Sequence, residues 1–283
     1  MFEVIDADGS RDLYYDFTRA IEKAHGKCLQ LIGDVFLPAG DIILPEDINF
    51  FPIAGKIFKG AATSFTVNAP VVGNPMHQWL SGFTTGLTWG RKVREIFPEW
   101  FGAKGDWEVT YDTRVYVSGT DDSIALQACF NSSMNSTFRP KISFLSTQYG
   151  FLTPLTITFA RGMHLNGANG GMFGDTNTGF RNMVTTLLYD GATPNSSALT
   201  IGNASQSATG FNMDNIFISA GSLAEVASGV NGLRLNWAAG ATFKDGAISN
   251  FRGASNASGL LIEGTQIATF YNYGFTNNTL GTF

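Results

Sequence analysis

The sequence predicts an all-β chain wound as a parallel β-helix, and three observations predict it. The first is self-similarity: Gly232-Leu233-Arg234-Leu235 returns as Gly259-Leu260-Leu261-Ile262, 27 positions on. At the same offset Phe243 is matched by Phe270, Ile248 by Phe275 and Asn250 by Asn277. Repetition at such a period marks a solenoid, since each unit buries its apolar face only against its neighbours. The second is composition: Gly, Asn, Ser and Thr accumulate after about Lys141, which suits many tight turns. The third is the shortness of the extended pieces, each bounded by a single turn. No helical pattern interrupts the repeat.

Length and charge narrow the function. The 283 residues allow one large or two modest domains with a sizeable core. A net charge of −5 argues against nucleic acid or an anionic membrane as partner. Cys28 and Cys129, the only cysteines, both lie among apolar residues and are expected as free thiols. The N-terminus lacks the basic and apolar regions of a signal peptide, and no apolar run reaches membrane-spanning length. A soluble chain without membrane insertion is expected, leaving the cell by a route such as lysis.

In chain order, Ser10 is expected to cap a helix carrying Leu13, Phe17, Ala20, Ile21 and Ala24, with Gly26 as its stop. A β-coil comes next, with strands at 28–32, 41–44, 48–51, 56–58 and 65–67, and 80–89 continues in the same style. Thr120 or Asp121 is expected to cap a second helix through Ile124, Leu126, Cys129 and Phe130, ended by Asn131-Ser132-Ser133. Strands at 141–145, 156–159 and 163–165 lead to a loop at 166–171 whose glycines do not open a helix, so it is not read as a phosphate cradle. From Val184 the chain is periodic, and Asp214-Asn215-Ile216-Phe217-Ile218 is a looser copy of the unit around Asp245. Strand alternation points Leu233, Leu235, Leu260 and Ile262 inward, and Arg234, Asn236, Leu261 and Glu263 outward. Glu263 then lies beside Asn236 and diagonal to Arg234, while Asn250 and Asn277 stack at a turn.

Gly102-Ala103-Lys104-Gly105-Asp106 and Thr120-Asp121-Asp122-Ser123-Ile124-Ala125-Leu126-Gln127-Ala128 carry a resemblance. Together they resemble the opening of the pectate-lyase-like, right-handed parallel β-helix proteins, which include rhamnogalacturonase- and epimerase-like domains and many bacteriophage tailspikes. The pattern there is G-A-x-G-D-G-x-T-D-D-T-x-A-I-Q-x-A. This chain departs from it at Trp107, in place of glycine, and by an insertion over 108–119. Asn68-Ala69-Pro70-Val71, His77-Gln78-Trp79 and Phe97-Pro98-Glu99-Trp100-Phe101 are similar to the upstream part of the phage and bacterial members. The resemblance implies an N-terminal helix and β-coil over 1–96, and a right-handed β-helix over 97–283 with a capping helix at about 120–131. It also implies a bacterial surface polysaccharide as ligand, a homotrimer, and a place on the virion tail or baseplate. A non-enzymatic glycan-binding spike and a secreted bacterial carbohydrate enzyme are the other readings.

Chemistry on such a scaffold needs outward acids. Glycoside hydrolysis uses two carboxylates about 5–5.5 Å or about 6.5–9.5 Å apart. Glu263 is the first catalytic candidate, with a surface salt bridge to Arg234 as its competing role. Asp245 is the second, with turn capping as its competing role, which holds for Asp214 too. Asp121 and Asp122 are assigned to the helix start. Trp237, Tyr271 and Arg234 are the candidate carbohydrate-binding residues, packing against the flank being the alternative for the aromatics. His25, His77 and His164 are scattered without ligand spacing, so neither a metal nor another cofactor is expected. About six rungs fit between Lys141 and Phe283 at about 25 residues each. The solenoid is therefore expected to run on past Phe283, with the active groove partly or wholly beyond it.

Overall fold

Nearly all described strands pair with a parallel neighbour that lies one return of the chain away. The computed structural model describes residues 1–5, 9–61, 63–109, 116–117, 119–145, 148–168, 185–205, 208–220, 227–253, 257–276 and 278. Among them the chain is mostly β-strand, with α-helices at Phe17–Lys23 and Ser123–Met134 and a 3-10 turn at Pro98–Phe101. The arrangement is compatible with a β-helix-like fold.

The first element differs from expectation. Arg11–Tyr14 is a strand, not the first turn of a helix, and it pairs antiparallel with Phe2–Ile5, which also pairs antiparallel with Cys28–Leu31. Phe2 and Val4 point inward and leave a free edge that this hairpin covers, whereas Leu13 stays 55% exposed. The helix starts later, where Asp16 Oδ1 accepts the Arg19 N–H at 2.9 Å, a cap that satisfies an orphan donor. Phe17 then stacks on Phe2 with centroids 4.4 Å apart.

From Cys28 the chain returns every 21 to 23 residues: Cys28 pairs with Asn49, Val35 with Ile57, Ile57 with Leu80, and Phe65 with Leu87. Leu29, Leu44, Phe50, Ile57, Phe65 and Val67 fill the interior with no exposed surface. Corners stack as closely as strands. Gly55 sits at φ +79°, and a Cβ there would lie 2.2 Å from the carbonyl carbon of Gly33, one return earlier, so only glycine fits.

The stretch 97–127 joins this coil to the larger sheets of the C-terminal half. Trp79, Trp89 and Trp100 form a buried cluster with centroids 5.5 to 6.2 Å apart. Against it docks the Ser123–Met134 helix, which runs past the expected stop at Asn131. Ser132 does not end it, its hydroxyl donating back to the Cys129 carbonyl at 2.8 Å, and Ser136, just past the end, donates to the Ser132 carbonyl at 2.6 Å. The same hydroxyls accept from the indole Nε1 and backbone N of Trp89 at 2.9 and 2.7 Å.

Beyond the joint, a ten-stranded sheet gathers Glu95–Ile96, Lys141–Ser143, His164–Asn166, Asn212–Asp214, Ala238–Ser249 and Ile267–Thr276, with Gln148–Phe151, Thr185–Tyr189, Ala208–Thr209 and Ile216–Ala220 alongside. A four-stranded sheet gathers Leu155–Ile157, Ser197–Ile201, Asn231–Asn236 and Ser258–Glu263. Register pairs Leu233 with Leu260, Phe243 with Phe270 and Ile248 with Phe275, so the 27-residue repeat joins stacked neighbours. Asn277 lies outside the described residues, as do 169–171 of the expected glycine loop. Ile262 departs from expectation: its register partner Leu235 is fully buried, but Ile262, on the outermost strand of its sheet, is 37% exposed.

Candidate functional site

The outward positions of the ten-stranded sheet align into two columns because register is kept from strand to strand. His164, Asn212, Thr242 and Thr269 form one; Asn166, Asp214, Lys244 and Tyr271 form the other. Between them Leu165, Met213 and Phe243 point into the core and are fully buried, so the alternation of each strand fixes which side chains face out. His164 Nε2 and Asp214 Oδ2 are 2.9 Å apart across neighbouring strands. Lower on the same face Lys141 Nζ meets Glu95 Oε1 at 2.6 Å, and the Ser143 hydroxyl donates to the same carboxylate. Burial works against the Glu95 carboxylate, yet Lys141 and Ser143 bring it below the ordinary range. Chemically the face offers one imidazole oriented by a carboxylate, two ammonium groups and a row of amides and hydroxyls. An imidazole held in one orientation by a carboxylate has the geometry of a general base.

The structure does not gather the five residues singled out in the sequence. Glu263, Arg234 and Trp237 lie together at the end of the four-stranded sheet. Arg234 Nε and Nη2 reach Glu263 Oε2 at 2.6 and 2.5 Å, the salt bridge that competes with a catalytic role. Trp237 occupies the left-handed region at φ 59°, its N–H bonds the Glu263 carbonyl at 2.8 Å, and it is 48% exposed. Its indole covers Gly264, where a Cβ would come within 2.7 Å of the ring. Asp245 and Tyr271 stand on the other sheet. Asp245 sits at a bend, φ 52°, where its carboxylate accepts from Asn272 Nδ2 at 2.7 Å and lies 3.5 Å from Lys244 Nζ. Tyr271 is 64% exposed beside Lys244. The two candidate acids are thus carried by different sheets, Glu263 on the four-stranded one and Asp245 on the ten-stranded one.

The sequence assigns Asp214 to a turn and leaves His164 unpaired, because 50 residues part the two; Asp214 instead ends the strand Asn212–Asp214. Their pairing comes from register, His164 beside Asn212 and Asn166 beside Asp214. The alternation around Leu165 and Met213 was the available signal, but nothing in the sequence aligns the two strands. The other histidines are engaged elsewhere, His25 with Asp47 at 2.9 Å and His77 with the Gly55 carbonyl at 3.0 Å. No cluster of three or more metal-ligating side chains occurs among the described residues. Cys28 and Cys129 are free thiols, and burial, with the charge of Glu99, pushes Cys129 well up. That thiol is not a nucleophile.

Asp121 and Asp122 are structural, though not in the expected way. The Asp122 carboxylate accepts the backbone N–H groups of Lys104 and Gly105 at 2.7 and 3.1 Å. Asp121 Oδ1 accepts from Ser123 N at 3.0 Å and from Leu152 N at 3.2 Å. Asp106 in turn holds Thr120 through its N–H and hydroxyl, each at 2.8 Å. The three aspartates therefore lace Lys104–Asp106 to the helix start.

Fold and face together define a mostly-β protein with several parallel sheets and an ordered polar face on the ten-stranded one. No family model matches the chain, and no curated protein or solved structure matches it.

Proposed function

We propose that this chain is a right-handed parallel β-helix of the phage tailspike type that binds and cleaves bacterial surface polysaccharide. The observation that carries the reading is the pair of outward columns running from His164 and Asn166 to Thr269 and Tyr271. They set hydrogen-bonding groups about 4.8 Å apart along a line, a repeat that suits an extended polyol. Tyr271 adds an apolar ring on the same surface, as sugar faces require. His164, oriented by Asp214, is the group best placed to take a proton from a hydroxyl or a sugar carbon, with Lys244 beside Asp214 to steady negative charge. The virion-tail setting and the homotrimer are supported by the resemblance of Gly102–Asp106 and Thr120–Ala128 alone.

A binding-only spike is the second reading, and one observation favours it. Glu95, Asp214, Asp245 and Glu263 are each already paired, with an ammonium or guanidinium group, an imidazole or an amide. The test is to incubate the protein with capsule and lipopolysaccharide preparations and assay new reducing ends and unsaturated uronates. Product formation that falls at least 100-fold in His164→Ala supports cleavage at this face. Binding without product sinks the enzyme, and no retention of any glycan sinks the reading.

A further inference from the structure

We propose that the cleft between Arg139 and Arg161 is a binding site for a carboxylate group carried on a ligand of sugar size. The two arginines stand two and three residues before the paired strands Lys141–Ser143 and His164–Asn166, so they stack at one end of the polar face. The Arg139 guanidinium lies over the Phe159 ring at 4.3 Å and donates through Nη1 to the Arg161 carbonyl. It is thus held in place. Among the described residues, no carboxylate lies within ion-pairing distance of either arginine. Arg139 Nε is buried without an acceptor, so a ligand in the cleft meets Arg139 through its remaining Nη2 and Arg161 through its exposed guanidinium. Burial, and then the charge of Arg161, depress the Arg139 guanidinium. Two neighbouring cations without a counter-charge are the arrangement that an anion relieves. The Ser123–Met134 helix ends at the cleft, and the partial negative charge of its carboxy end makes the pair tolerable without neutralising it.

Size and shape choose among anions. The cleft holds about 600 Å³ and is lined by Asn135, Thr137, Phe159 and Gly162 besides the arginines. That volume falls within the range of small-molecule sites, which is about 300–1,000 Å³, and far exceeds a lone inorganic ion. Guanidinium forks match planar carboxylates two bonds at a time. The amide of Asn135 and the hydroxyl of Thr137, both exposed, supply partners for ligand hydroxyls. A carboxylate with several hydroxyls describes an acidic sugar. The sugar part of this assignment rests on the glycan reading of the outward face; the anion site does not.

Isothermal titration of the whole chain at low salt, with glucuronate, glucose and sulfate as separate probes, tests it. Glucuronate is expected to bind, at least tenfold more tightly than glucose or sulfate. Arg161→Gln, at an exposed position, should weaken it tenfold or more with an unchanged melting temperature. Arg161→Lys, which keeps the charge and loses the fork, should recover only part. Equal binding of glucuronate and glucose, sulfate as tight as glucuronate, or indifference to both substitutions would each overturn the site. Glucuronate binding that persists when no polysaccharide engages the outward face would keep the site and remove the glycan reading. Polysaccharide retention with Arg161→Gln leaving glucuronate unaffected would do the reverse.

Discussion

Asp122 is a buried carboxylate that holds two backbone N–H groups, and it carries a cost for doing so. Desolvation outweighs those bonds and raises it from 3.8 to about 6. A shift of that size corresponds to about 2–3 kcal/mol against the ionised form, allowing for residual solvent screening. The folded state therefore binds this proton more tightly than the unfolded chain. Stability from this group is complete below about 3.8 and is lost as pH rises through about 6. Asp122→Asn cannot titrate. The melting temperature of the protein relative to that variant should fall as pH is taken from 4.5 to 7, and a constant difference would refute the assignment. At the same scale, the sequence placed the paired aspartates at the helix start but not their partners. Lys104 and Gly105 come to Asp122 through a loop closure that no local pattern announces.

At its far end the Ser123–Met134 helix is tied down by Trp89, with Asn131 bonding the Thr84 carbonyl and Met134 Sδ accepting from Phe159 N alongside. Trp89→Phe removes the bond to Ser132 and leaves a void among Trp79, Trp100 and Phe101. Urea unfolding should show a loss of about 2–3 kcal/mol; a loss below about 0.5 kcal/mol would mean that the cluster does not carry the joint. Elements whose signals are local were legible: the second helix from Thr120-Asp121-Asp122 and its apolar spacing, the strands at 28–32 and 65–67 from their bounding turns. The first helix was displaced because a hairpin to Phe2–Ile5 claimed Arg11–Tyr14, a pairing decided by tertiary contact. The 27-residue repeat was legible because Leu stacks on Leu and Phe on Phe. The return of about 22 residues was not, because its columns keep only apolar character: Val35, Ile57 and Leu80 occupy successive positions of one column. His164 and Asp214 escaped for the same reason, since their strands share no residue identity.

Across the whole molecule interior positions are buried up to the Ala238–Ser249 strand, and coverage falls at Ile267–Thr276. Phe211 and Phe243 are fully buried, and Phe270, next in line and 4.8 Å from Phe243, is only partly covered. Ala238–Ser249 has strand neighbours on both sides, Ile267–Thr276 on one among the described residues. Amide exchange should therefore be slower in Ala238–Ser249 by on the order of 10- to 100-fold. Equal rates would mean that the two strands open as one unit.

The returns of the chain differ in length, yet the strands they deliver remain neighbours: about 22 residues separate Val35 from Ile57, 27 separate Phe243 from Phe270, and 48 separate His164 from Asn212. Each return adds one strand spacing, about 4.8 Å, whatever its contour. Distance along a column is thus counted in returns rather than in residues. Residues added between two paired strands therefore leave the pitch of the outward side chains unchanged, and the sequence between strands is free to vary in length without moving the columns.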